Sequence, residues 1–128
     1  MEGKRVLITG GNSGIGLVTA RELASMGAEV ILACRDTEKT AEALKVIALK
    51  AIKPPINLPV ELSSLTSVRS VASNFLERFD SLDVLINNAG VFPSRQQFTE
   101  DGFEMQMGVN HLSHFLLTHL LLDRLKSS

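Results

Sequence analysis

Residues 6–16 have the sequence VLITGGNSGIG, in which a short apolar run leads directly into a turn with four glycines. A continuous apolar run that ends in glycines is typical of a strand buried on both faces of a sheet. The next apolar residues, from Ile15 to Met26, recur at helical spacing and stop at Gly27. The sequence therefore predicts a buried strand, a glycine-rich turn and a helix in immediate succession.

The glycine-rich turn has the features of a phosphate-binding site. A helix N-terminus leaves its first N–H groups unpaired and carries partial positive charge, so it attracts anions. Gly10 permits a tight turn, Gly14 the close approach of a pyrophosphate, and Gly16 close packing of the helix on the strand. We therefore predict a dinucleotide-binding turn, the alternative being a structural turn without a ligand. The predicted contact residues of this turn are Gly10, Asn12, Ser13, Gly14, Ile15 and Gly16.

Strands and helices alternate along the rest of the chain. Strands are predicted at Val6–Ile8, Val30–Ala33, Asn57–Leu62 and Val84–Ile86, and helices at Ile15–Met26, Thr37–Ile52, Ser64–Phe79 and Gly102–Lys126. Such alternation predicts parallel βαβ units. We find no internal repeat and no linker, so residues 1–128 are predicted to form one α/β domain, half of a doubly wound Rossmann-type sheet.

Composition narrows the class of protein further. A net charge of -1 argues against nucleic acid or an anionic membrane as a partner. Cys34 is the only cysteine, so no disulfide is expected within the chain. The longest apolar stretch, Leu112–Leu122, is shorter than the ~20 residues that span a bilayer, and the N-terminus lacks a secretory signal. We therefore expect an intracellular, cytoplasmic protein with no membrane segment in this chain.

Several motifs together resemble one enzyme family. The glycine spacing G-x-x-x-G-x-G, followed by N-N-A-G at Asn87–Gly90, resembles the short-chain dehydrogenase/reductase family. Three further segments resemble its retinol dehydrogenase branch: ACRD at Ala33–Asp36, LSSL at Leu62–Leu65 and NHLSHFLLT at Asn110–Thr118. The resemblance covers essentially the whole chain. It implies strand order 3-2-1-4, a nicotinamide dinucleotide cofactor, and hydride transfer to or from a small-molecule alcohol or carbonyl substrate.

The type of dinucleotide depends on the residues after the second strand. An NAD site has a carboxylate there for the ribose 2′-hydroxyl, whereas an arginine suits the 2′-phosphate of NADP. This chain has Cys34 and then Arg35, which favours NADP(H). In one alternative, Asp36 binds the ribose and the cofactor is NAD(H). In the other, Asp36 caps a helix and Arg35 is a solvated surface charge.

The resemblance also assigns roles to residues in the second half of the chain. It implies that Asn87, Ala89 and Gly90 line the cofactor, and that Asn110 supports a catalytic lysine through water. Glu61 stands where the family usually has Asp near the adenine, and its longer side chain departs from the family's pattern. The family's catalytic Ser, Tyr and Lys have no counterpart, and the chain contains no Tyr. We therefore expect an incomplete domain, or alternatively a non-catalytic dinucleotide-binding or dimerising regulator.

An incomplete domain has consequences for exposure. The fourth strand would become an edge, and the last helix would leave apolar residues partly bare, namely Phe115, Leu116, Leu120 and Leu121. A homodimer through the helix Gly102–Lys126 is one way to cover them. His111, His114 and His119 lie on this helix, but no pair has the i,i+4 spacing of helical zinc ligands, so no metal site is predicted.

Overall fold

The computed structural model describes the whole chain, Met1–Ser128. Strands and helices alternate as predicted. The elements are β1 (Arg5–Thr9), α1 (Gly14–Ser25), β2 (Glu29–Cys34), α2 (Glu38–Ala48), β3 (Ile56–Pro59), α3 (Leu65–Arg78), β4 (Val84–Ile86), a π-helical segment (Met107–Ser113) and α4 (His114–Lys126).

The four strands form one parallel sheet in the order β3-β2-β1-β4. This confirms the predicted Rossmann-type half-sheet. Residues of β1 alternate between two apolar cores, because successive side chains of a strand point to opposite faces. Leu7 packs into a core with α3 and α4, while Val6 and Ile8 pack into a second core with α1 and α2. The sheet is therefore covered by helices on both faces, which explains its continuous apolar strands.

β4 is the edge strand on one side of the sheet, as expected from the strand order. Its three residues are only partly buried, unlike the fully buried centre of β1. No helix of the structure has both the length and the apolar character needed to cross a bilayer.

The second helix is shorter than predicted. Thr37 caps its N-terminus by accepting a hydrogen bond from Thr40 N, so the cap is Thr37 and not Asp36. The helix ends at Ala48 instead of Ile52, because the apolar residues beyond it do not reach the core. Leu49 is 83% exposed and Ile52 is 66% exposed.

The third strand is shifted from its predicted position, Asn57–Leu62, to Ile56–Pro59. Proline has no N–H to donate, so regular pairing stops there apart from one bond from Val60 N to Cys34 O. Glu61 then leaves the sheet, and its N–H donates to Ser67 Oγ at 2.8 Å instead of to a neighbouring strand.

The predicted start of the last helix at Gly102 is wrong. Gly102 has φ +87° and lies in a tight turn, and helical backbone begins at Met105. Glu104 sets this boundary, because its carboxylate accepts hydrogen bonds from Gln106 N at 2.9 Å and Met107 N at 3.0 Å. A carboxylate at a helix N-terminus satisfies otherwise unpaired N–H groups.

The expected exposure of α4 is confirmed only in part. Phe115 is 66% exposed, and Leu116 and Leu120 are partly buried. Leu121, however, is fully buried in the core formed with α3, which corrects the expectation for that residue.

Candidate functional site

The candidate site is a cleft of about 690 Å³ at the carboxyl edge of the sheet. The turns that follow β1, β2 and β4 meet there, because the carboxyl ends of parallel strands share one edge. In open α/β sheets, ligands bind at this edge. Of the predicted contact residues, the cleft is lined by Gly10, Asn12, Ser13, Ile15, Gly16, Arg35, Ala89 and Gly90, whereas Gly14 and Asn87 are not among its lining residues.

Gly10 in the turn after β1 and Gly16 in the first turn of α1 are both required by contacts with the turn after β4. Gly10 has φ +66°, and a Cβ there would lie 2.8 Å from the Cα of Ala89. A Cβ on Gly16 would overlap the side-chain amide of Asn88 and the carbonyl oxygen of Gly10. The two turns are thus packed backbone to backbone, closing one wall of the cleft.

The N-terminus of α1 is open towards an anion. Ser13 is the N-cap, with extended backbone, yet its side chain makes no capping hydrogen bond, and the first turn holds no acidic residue. Gly14 has φ +55°, and nothing lies within 4 Å of where its Cβ would be. The first N–H groups of this helix therefore lack the side-chain partners that usually satisfy them, which suits a phosphate.

The segment after β2 gives the cleft a cationic wall. Arg35, Thr37 and Lys39 line it, whereas Asp36 does not. Neither Arg35 nor Lys39 takes part in a salt bridge, since the four ion pairs of the molecule lie elsewhere. Two positively charged side chains that form no salt bridge favour an anionic group beside them.

Cys34 is buried at the end of β2 beside this wall. Burial raises the pKa of the Cys34 thiol, although backbone N–H groups of the glycine turn oppose this shift. The side chain therefore stays a neutral thiol near neutral pH and contributes packing to the cleft.

The turn after β4 is fixed by the last residue of β1. Thr9 Oγ1 accepts hydrogen bonds from Asn88 N and from Ala89 N, both at 3.0 Å. The Asn88 side chain donates in return to Thr9 O at 3.2 Å and to Gly10 O at 3.1 Å. Asn87, by contrast, is exposed and donates to Thr118 Oγ1 on α4 at 3.0 Å.

Asn110 lies in the π-helical segment and holds the chain that leaves this turn. Its side chain accepts from Val91 N at 2.8 Å and donates to Val91 O at 3.0 Å. Its backbone carbonyl receives a hydrogen bond from His114 Nδ1 at 3.3 Å. π-Helical turns are rare and are often found at functional sites.

The tautomer of His114 follows from its partners. The Thr9 hydroxyl already accepts two N–H groups, so its own proton is donated to His114 Nε2 at 2.9 Å. Nε2 is then an acceptor, and Nδ1 carries the hydrogen that is donated to Asn110 O. Burial lowers the pKa of His114, partly offset by the hydrogen bond to Asn110, which agrees with a neutral ring.

Three contributors to the site were not predicted from the sequence. Thr9 and Asn88 hold the two turns together, and Lys39 adds a second positive charge beside Arg35. Lys39 follows Arg35 by four residues across a helix start, a signal that was available in the sequence. Glu61 lines the cleft as well, with its carboxylate accepting from Ser63 Oγ at 2.9 Å.

Taken together, the fold and the cleft define a Rossmann-type dinucleotide-binding domain. The open helix N-terminus fits a pyrophosphate, and the cationic wall fits a further anionic group. The sequence model of the short chain dehydrogenase family matches residues 4–128. The chain therefore belongs to the short-chain dehydrogenase family, as the resemblance implied.

Relatives found by sequence include several retinol dehydrogenases. Retinol dehydrogenase 13 of Homo sapiens is 53% identical over 127 residues, which cover 98% of this chain and 38% of that protein. Retinol dehydrogenase 14 of Homo sapiens is 49% identical over 142 residues, covering 100% of this chain and 42% of that protein. The resemblance to the retinol dehydrogenase branch is confirmed, and the chain spans less than half the length of these relatives.

Solved structures show the same fold. The Pseudomonas aeruginosa RhlG/NADP active-site complex superposes with a TM-score of 0.84 at 32% identity, covering 100% of this chain and 50% of that chain. The NADH-dependent reductase A1-R′ complexed with NAD superposes with a TM-score of 0.82 at 32% identity, covering 98% of this chain and 53% of that chain.

Proposed function

We propose that this chain is the cofactor-binding part of an NADP(H)-dependent oxidoreductase that acts on a small-molecule alcohol or carbonyl compound. The family supports a nicotinamide dinucleotide as the cofactor. Its solved members include one complexed with NADP and one with NAD, so the choice between them depends on this chain's own residues.

The cationic wall is the observation that carries the proposal of NADP(H). Arg35 and Lys39 line the cleft and have no acidic partner, while Asp36 lies outside its lining. A carboxylate in that place would accept the ribose hydroxyl of NAD(H), whereas a guanidinium pairs with a 2′-phosphate. Charge-assisted hydrogen bonds of this kind contribute ~1.5–3 kcal/mol each, or about 10- to 100-fold in affinity.

A bound nicotinamide dinucleotide supplies the hydride donor or acceptor of the reaction. The residues of this chain bind and orient it. Asn12, Ser13 and Ile15 line the cleft at the N-terminus of α1 and would hold the pyrophosphate, and the turn Asn88–Gly90 lines the cleft as well. In the family that the chain resembles, proton transfer is assigned to a Ser, a Tyr and a Lys that have no counterpart in this sequence, and we propose a supporting role for Asn110.

The substrate class is proposed from the relatives alone. The relatives are named retinol dehydrogenases, so a retinoid or another lipid-like alcohol or aldehyde is the class that we propose for the complete protein.

A binding experiment on the full chain tests the cofactor assignment. We expect NADPH to bind at least about tenfold more tightly than NADH, measured by calorimetric titration of each. Arg35→Glu should reverse this preference, because it repels the 2′-phosphate and offers a carboxylate to the ribose. Arg69→Glu changes the net charge equally on an exposed residue of α3 and should leave the preference unchanged. Equal affinities for the two cofactors in the unaltered protein would contradict NADP(H) specificity.

A further inference from the structure

A buried threonine joins the two parts of the cleft that face phosphate groups. Thr40 lies in the first turn of α2 and is 2% exposed. Its hydroxyl donates to the carbonyl oxygen of Arg35 at 2.7 Å and accepts from Asn12 Nδ2 at 3.1 Å. One hydroxyl group therefore bonds both to the glycine turn after β1 and to the cationic segment after β2.

The bonding capacity of this hydroxyl group is fully used. Thr37 Oγ1 lies 3.4 Å from Thr40 Oγ1 and also accepts from Thr40 N at 3.4 Å. A hydroxyl has one proton and two lone pairs, and Arg35, Asn12 and Thr37 take all three. No water is needed to complete the arrangement, so its geometry is set by the protein alone.

The two segments that Thr40 joins contact different parts of one ligand. In the proposed function, the glycine turn faces the pyrophosphate and Arg35 faces the 2′-phosphate. The bonds that join these groups in the cofactor limit how far apart they can lie, so the separation of their protein partners must fall within that limit. The carbonyl of Arg35 is bonded twice, by the Thr40 hydroxyl and by Thr37 N at 3.0 Å. Arg35 itself is exposed, so its backbone is the part that the fold holds in place.

We propose that Thr40 is a positioning residue for cofactor selectivity, holding Arg35 at the distance from the glycine turn that the 2′-phosphate requires. This inference rests on the proposed function. Thr40 touches no cofactor atom in this assignment, since it does not line the cleft. It acts through Arg35 and Asn12.

The test compares Thr40→Val with Thr40→Ser in the full chain. Valine has nearly the shape of threonine but lacks the hydroxyl, so Asn12 Nδ2 and Arg35 O lose a partner, whereas serine keeps it. We expect Thr40→Val to weaken NADPH binding on the order of tenfold. NADH binding should change about twofold or less, because NADH has no 2′-phosphate for Arg35 to meet. Thr40→Ser should keep the selectivity of the unaltered protein.

A second variant guards against a folding defect. If Thr40→Val lowers the cooperative melting temperature strongly, Asn12→Ala and the double variant Asn12→Ala/Thr40→Ala are measured against Thr40→Ala. Losses in NADPH affinity that are less than additive support the bond between these residues, and fully additive losses overturn it.

Equal weakening of NADPH and NADH by Thr40→Val would reduce Thr40 to a structural role and overturn the proposal. If the unaltered protein binds neither dinucleotide, the proposed function fails and this inference fails with it. If it binds NADPH selectively and Thr40→Val does not change that selectivity, this inference alone is wrong.

Discussion

Gly10 combines two requirements that only glycine meets at this position. Its φ of +66° lies in the left-handed region, and the Cα of Ala89 leaves no room for a Cβ. The first requirement concerns the backbone of Gly10 itself, and the second concerns a residue far along the chain. Gly3 allows the two requirements to be separated, because it has φ +77° but nothing lies within 4 Å of where a Cβ would be.

We therefore predict unequal costs for two alanine substitutions. Gly3→Ala should lower the free energy of unfolding by ~1–2 kcal/mol, the cost of a left-handed non-glycine residue. Gly10→Ala should lower it by ~2–5 kcal/mol, because overlap with the Ala89 backbone adds to that cost. Urea denaturation of both variants measures the difference. Equal losses would mean that the contact with Ala89 relaxes without cost.

The residues of the site differ in how far the sequence reveals them. Gly10, Gly16 and Arg35 were predicted because each acts within a short segment whose pattern is visible: a strand, a turn and a helix start. Thr9, Asn88 and Thr40 were not predicted, because their roles come from partners in other segments. Thr9 and the Asn88 N–H it binds are 79 residues apart in sequence. A threonine at a strand end shows no sign of such a bond until the fold brings the two turns together.

At the scale of elements, His114 connects α4 to β1. Its ring bridges Thr9 Oγ1 and the carbonyl of Asn110, and only the neutral form can accept the hydroxyl proton of Thr9. Burial lowers the pKa of His114 in the folded protein, whereas in the unfolded chain the pKa is about 6.5. As the pH falls below about 6.5, His114 becomes protonated in the unfolded chain while it stays neutral in the folded protein. The stabilisation linked to this residue is therefore complete above that pH and is lost as the pH falls towards the folded pKa.

The pH dependence of unfolding tests this bridge. We expect the free energy of unfolding to decrease between about pH 7 and pH 5 in the unaltered protein, and to decrease less in His114→Gln, which does not titrate. His119→Gln removes an exposed histidine of the same helix and should follow the unaltered protein. Parallel curves for the unaltered protein and His114→Gln would show that His114 does not stay neutral.

The elements themselves were predicted well where local pattern decides them. The number of strands and their order in the sheet agree with the prediction, and only the bounds of β3 are shifted, because buried parallel strands are continuous apolar runs. The π-helical segment was not predicted, since nothing in MGVNHLS distinguishes it from an α-helix. Its geometry depends on bonds to distant segments, including Ser113 Oγ to Leu62 O at 2.5 Å and Asn110 to Val91. The predicted start at Gly102 was wrong because Gly102 lies in a turn, and the Glu104 carboxylate accepts from the first N–H groups of the helix that follows it.

For the molecule as a whole, the exposed apolar residues of α4 and the edge strand β4 lie on parts of the surface that favour association. Phe115 is 66% exposed and Leu122 is 38% exposed. An edge strand also presents unpaired backbone groups to a second chain. A homodimer through α4 thus stays a prediction, and it can be tested by substituting the exposed Phe115.

We predict that Phe115→Glu weakens self-association of the 128-residue chain. Burying an aromatic side chain contributes ~1.5–3 kcal/mol, and each substitution counts twice in a twofold dimer, so the dissociation constant should rise by at least about tenfold. Phe92→Glu is the matched control, because Phe92 is 88% exposed but lies in the loop after β4. Sedimentation velocity over a range of concentrations measures both variants. If only Phe92→Glu disperses the dimer, the interface lies at that loop and not on α4.

The central position of β1 bears on how the chain folds as it is synthesised. Leu7 pairs with Ile31 on one side and with Leu85 on the other. During synthesis β2 emerges early, whereas β4 emerges only after β3 and α3. Nascent chains fold from the N-terminus, so β1, β2 and β3 can assemble while the other side of β1 is still unpaired because β4 has not yet emerged. During that interval an interior strand of the finished sheet has one open side, and unpaired strand edges of this kind make a partly folded chain prone to aggregation.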